Sequence, residues 1–98
     1  MAALKPLIAG NWKMFGRQAD LNEIAQLASR VGAASGVEVL ICPPAPMVAV
    51  AAWRAKDTCV VIGAQDCSAV AADSARTGDV SAAMLADAGA RYVIVGHS

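Results

Sequence analysis

Four short apolar runs recur along the chain with segments of helical period between them, and this recurrence limits the fold more than any other feature. They occupy residues 6–10, 37–42, 59–64 and 91–96. In the last of them, Tyr92 to Val95 are aromatic, aliphatic or β-branched without polar alternation. A strand buried on both faces, as in the centre of a parallel sheet, has this pattern. Strands alternating with helices in the order βαβαβαβ are almost forced to run parallel, with right-handed crossovers and helices over the faces. The expected class is α/β.

The connecting segments carry their own signals. Leu21, Ile24, Ala25, Ala28 and Val31 fall on one face of a helix. Asp20 and Glu23 have capping-box spacing at its start, Gly32 suits its end, and Gly36 suits the turn into the second strand. Pro43-Pro44-Ala45-Pro46 cannot continue a central strand, because proline has no N–H to donate. Pro46 suits the first turn of a helix reaching about Arg54, apolar nearly all round and so expected to be deeply covered by the fold or by a partner. A polar loop spans residues 65–79, long enough to expect a function of its own. The third helix should show Val80, Ala83, Met84 and Ala88 as its apolar stripe and close at Gly89.

Composition narrows the class further. Hydrophobic residues make up 57% of the 98 and charged residues 16%, so most side chains must be buried somewhere. Eight basic and eight acidic residues balance, with no block of either sign, which argues against nucleic acid or an anionic membrane as partner. No apolar run is long enough for a membrane span, and the N-terminal stretch, broken by Pro6, does not read as a signal peptide. Cys42, Cys59 and Cys67 form no CxxC pair and read as reduced, space-filling thiols of a cytoplasmic protein rather than as a disulfide or a metal site. A parallel sheet this apolar leaves two open edges, which template aggregation when bare. The chain therefore reads as part of a larger sheet.

Parallel strands deliver the residues that follow them to one rim. These are Asn11, Trp12 and Lys13 after the first strand, Gln65, Asp66 and Cys67 after the third, and His97 and Ser98 after the fourth. An amide, an ammonium and an imidazole on a common rim suit a small anionic substrate. Lysine can hold a phosphate or a developing oxyanion, and a neutral imidazole can donate to a carbonyl and exchange a proton near neutral pH. Each group also has a structural reading: a hydrogen-bonded rim histidine, a polar strand end, a packed tryptophan. On the residues alone, enzyme and binding module both remain open. A flavodoxin-like sheet would need a phosphate-binding turn such as GxGxxG, which the chain lacks, and it ranks last.

The stretches Ala9-Gly10-Asn11-Trp12-Lys13-Met14 and Tyr92-Val93-Ile94-Val95-Gly96-His97-Ser98 resemble the triosephosphate isomerase family. The likeness continues in order through Gly63-Ala64-Gln65-Asp66, Thr77-Gly78 and Val80-Ser81-Ala82-Ala83-Met84-Leu85. It implies that residues 1–98 are the N-terminal half of a single (β/α)8 barrel domain, a fold that typically needs about 250 residues. It further implies interconversion of dihydroxyacetone phosphate and D-glyceraldehyde 3-phosphate, in glycolysis and gluconeogenesis, through an enediolate and without cofactor or metal. His97 would polarise the carbonyl with Ser98 beside it in support, Lys13 would meet the substrate's negative charge, and Asn11 would help shape the site. The family is a known example of pKa tuning, in which a helix N-terminus keeps the histidine neutral. Its glutamate base and its later phosphate loops have no counterpart among these residues, so the 98-residue chain alone is expected to be inactive. The helix that would follow His97 has none either, and without its dipole His97 is expected to titrate closer to an ordinary histidine. The resemblance also implies a homodimer, with Gln65 and Thr77 on the loop that reaches the partner and Thr77 approaching the partner's Asn11. Here Ser74, Arg76 and Asp79 stand where the family usually has glycine, an aromatic and glutamate. Arginine in place of a buried aromatic loses apolar contact and risks an unpaired charge, which predicts a weaker dimer loop.

Overall fold

The computed structural model describes residues 6–31, 36–70 and 73–96. Four parallel strands, β1 (Leu7–Asn11), β2 (Glu38–Cys42), β3 (Val60–Ala64) and β4 (Tyr92–Val93), alternate with α1 (Asn22–Val31), α2 (Val48–Ala55) and α3 (Ala82–Ala88). The sheet order is β1-β2-β3-β4. Each strand lies beside its predecessor, as in one side of a closing barrel. A doubly wound sheet would reverse direction at a switch point, and this sheet does not.

One face of the sheet carries the core. Val39 and Ile41 of β2 and Val60, Ile62 and Ala64 of β3 pack against Leu21 and Ile24 before and in α1, Val48, Ala51 and Ala55 of α2, and Leu85 of α3. Partners in a parallel register share a face, so Leu40, Cys42, Val61, Gly63 and Tyr92 lie on the other side, with Ala9 and Asn11. Tyr92 crosses that side to donate its hydroxyl to Glu38 Oε1 at 2.6 Å. Gly63 is the ladder partner of Tyr92 on that side. A Cβ there would stand 2.9 Å from Cys42 Sγ and 3.0 Å from both Leu40 Cδ1 and the Tyr92 carbonyl oxygen.

Several expectations need correction. The fourth run forms a ladder only over Tyr92–Val93, and Val95 is 68% exposed, so it is not a strand buried on both faces. It is an edge strand, held by β3 on one side alone. β1 lies at the other edge, one residue later than expected, with Leu7 and Ile8 exposed. The capping box sits earlier than Asp20–Glu23. Asp20 is its third residue: its carboxylate accepts from the Arg17 N–H, and its own N–H donates to the Arg17 carbonyl, both at 2.8 Å. A 3₁₀ turn, Gln18–Leu21, then leads into α1.

On α1, Leu27 takes the covered place expected of Ala25, which is exposed. The α2 helix is covered on one side only: Val48, Ala51 and Ala55 are buried, whereas Trp53 is 71% exposed beneath the Lys56 ammonium. Of the stripe expected on α3, Val80 and Ala88 pack against the core, while Ala83 and Met84 face outward and Leu85 is the buried residue. Ser81 caps the helix by accepting from the Met84 N–H. Gly89 closes α3 as expected, in the left-handed conformation (φ 109°) that favours glycine after a helix. Gly32 lies outside the described residues.

Candidate functional site

The first strand delivers its polar residues to the rim in a strained form. Lys13 has φ 57°, a left-handed conformation that few non-glycine residues adopt. Such a residue costs about 1–3 kcal/mol and persists only where its surroundings fix it. Two side chains do so here. Asn11 Oδ1 accepts the Lys13 N–H at 2.8 Å, and Gln65 Nε2 donates to the Lys13 carbonyl at 2.6 Å. Asn11 thus closes an Asx-type turn around Trp12 and keeps its amide N–H groups for another acceptor. The Lys13 side chain is exposed, and among the described residues no carboxylate pairs with its ammonium.

Gln65, the first residue after β3, reaches back across β2. Its Nε2 also donates to the Cys42 carbonyl at 3.0 Å, and that carbonyl accepts the Trp12 N–H at the same distance. The ends of β1, β2 and β3 are thereby tied through one amide. Trp12 packs against the core, as its structural reading held, with its ring against Gly16, where a Cβ would come within 2.5 Å of it. Cys42 is fully buried and its thiol is pushed up by burial, while Cys59 and Cys67 pack at the margin of the core. All three are free thiols.

Of the sequence-predicted site residues, Asn11, Lys13 and Gln65 come together. His97 and Ser98 lie outside the described residues. The strand that precedes them runs parallel to β1, so its C-terminal end and Asn11 point the same way. Thr77 is exposed on the loop after β3, where Arg76 is paired with Asp79 at 3.5 Å. The arginine and the aspartate at these two positions therefore satisfy each other. The Ser68 N–H donates to the Val80 carbonyl, and Ser81 Oγ donates to the Asp73 carboxylate, so the loop is closed at its base.

The bracing role of Gln65 was missed from sequence, where it read as a rim or loop residue. The Asx turn had a signal, since an asparagine at the end of a strand suits such a turn, but a glutamine's acceptors 52 and 23 residues away leave none. A cleft of about 750 Å³ opens elsewhere, between α1 and the starts of β2 and β3, and contains none of these groups. Among the described residues no group of three or more His, Cys, Asp or Glu could hold a metal ion. No helix among the described residues is long and apolar enough to cross a membrane.

Comparison with known proteins covers nearly the whole chain. The family model described as Triosephosphate isomerase matches residues 6–98. A triosephosphate isomerase of Afipia carboxidovorans is 54% identical over 96 residues, covering 97% of this chain and 38% of that protein. One from a Jannaschia species is 54% identical over 94 residues, covering 96% of the chain and 37% of the relative. A crystal structure of triosephosphate isomerase from Bartonella henselae superposes with a TM-score of 0.87 at 39% identity, covering 97% of this chain and 39% of that one. The chain thus spans well under half the length of the relatives it matches, and its four parallel strands correspond to a half-barrel at their N-terminal end.

Proposed function

Because the chain belongs to the triosephosphate isomerase family, we propose that it contributes the Asn, Lys and His part of a site that interconverts dihydroxyacetone phosphate and D-glyceraldehyde 3-phosphate. The observation that carries this reading is the braced, left-handed Lys13 at the C-terminal end of β1, on the rim where parallel-sheet enzymes hold their substrates. Its ammonium meets the substrate's negative charge, and the Asn11 amide shapes the space beside it. His97 polarises the substrate carbonyl and Ser98 supports it. A carbon-bound proton leaves, an enediolate forms, and a proton returns to the neighbouring carbon. Neither metal nor cofactor is needed for that transfer. The carboxylate that takes the proton has no counterpart among these residues, so the 98-residue chain alone does not turn over. The working enzyme is a cytoplasmic homodimer in which Thr77 meets the partner.

The test is an isomerase assay on the chain with and without a C-terminal complement from a relative. Turnover only with the complement, lost on Lys13→Ala or His97→Gln, supports the reading. A folded but inactive complex opposes it. A second reading, a non-catalytic half-barrel that serves in assembly, is favoured by the exposed apolar edges at Leu7, Ile8 and Val95. It predicts tight association with the complement and no turnover.

A further inference from the structure

We infer that Gln65 is a positioning residue for Lys13: its amide holds the lysine backbone in the left-handed turn that directs the ammonium. Lys13 leaves the extended conformation two residues after Asn11, and its peptide groups on both sides are captured. Asn11 takes the N–H and Gln65 takes the carbonyl. The Asn11 bond is local and would form in any Asx turn, whichever way the turn leaned against the sheet. The Gln65 bonds are not local. One Nε2 donates both to Lys13 and to Cys42 at the end of β2, so the turn is referenced to the central strands rather than to the edge strand that bears it. Position 65 needs a side chain with a neutral amide's donors and this reach. Glutamate would set a carboxylate against two carbonyls, and methionine would fill the volume with no donor.

The inference rests on the reading that Lys13 meets the substrate, and the experiment separates the two. In the isolated chain, a scalar coupling across the hydrogen bond from Gln65 Nε2 to the Lys13 carbonyl should be detectable by NMR, and Lys13 should show the strong intraresidue amide-to-α-proton contact of a positive φ. Gln65→Met should weaken that contact. In the chain paired with its complement, Gln65→Met should raise KM for dihydroxyacetone phosphate by about tenfold, the effect of losing the hydrogen bond to the Lys13 carbonyl. Lys13→Ala added to Gln65→Met should raise KM no further than Lys13→Ala alone. No coupling in the wild-type chain overturns the proposal even if every Gln65 variant fails to fold. A lower melting temperature with unchanged KM and unchanged Lys13 contact also overturns it, because that is a purely structural role. Lys13→Ala with unchanged KM would instead refute the substrate reading, leaving the NMR result to decide the role of Gln65.

Discussion

The two inner strands and the two outer strands are made from the same kinds of residue and end in opposite environments. In β3, Ile62 is 2% exposed; in β1, Ile8 is 58% exposed. Both are flanked by small or aliphatic neighbours, and neither run alternates with polar residues. What separates them is position in the sheet, since β2 and β3 have a strand on each side and β1 and β4 have one. An apolar run thus encodes the readiness to be covered, while the neighbouring elements decide whether covering occurs.

Matched substitutions test this contrast most directly. Ile62→Ala should cost about 3–4 kcal/mol, in the range for a buried isoleucine, and Ile8→Ala about 0.5 kcal/mol or less, as for exposed sites. Urea unfolding of the two variants measures the difference, and equal losses would mean that β1 is covered in solution. Gly63→Ala should cost about 1–3 kcal/mol because its Cβ meets the backbone oxygen of Tyr92 as well as two side chains. Gly10→Ala meets mainly the flexible end of Ile41 at 3.3 Å and should cost much less. If the two costs came out alike, the inner strands would be no tighter than the edge.

Thiol chemistry reads the same contrast without mutation. Cys42 is inaccessible and its thiol is raised by burial, so a maleimide should label Cys59 and Cys67 first. Equal rates for all three would show β2 opening as readily as the margins. The smallest effect belongs to Tyr92. Its phenol is raised above 10.0, chiefly by the hydrogen bond to Glu38. A raised folded-state value means that the bond's contribution is whole below pH 10 and fades as the phenol ionises above it. Tyr92→Phe should therefore flatten the alkaline loss of stability, and an unchanged slope would mean that the tie does not form in solution.

The order of elements and their parallel direction were legible in the sequence because hydrophobic period is a local signal. The covered faces of α2 and α3 were not. Trp53 and Met84 look like core residues until the position of the sheet is known. The rim was half legible: Asn11 and Lys13 follow from where a strand ends, and the likeness of the flanking stretches sharpened both. Gln65 shows the other limit, because its partners are backbone carbonyls, which every residue has and no residue type announces. The Arg76–Asp79 pair had a sequence signal in its spacing of three.

The unbroken strand sequence across the sheet bears on how such a chain is made. Leu7 pairs with Glu38, Val39 with Val60 and Gly63 with Tyr92, so every strand docks on the one translated just before it. A ribosome releasing this segment gives each new strand after the first a template made within the preceding few tens of residues. Synthesis and assembly can then proceed in the same direction, one unit at a time.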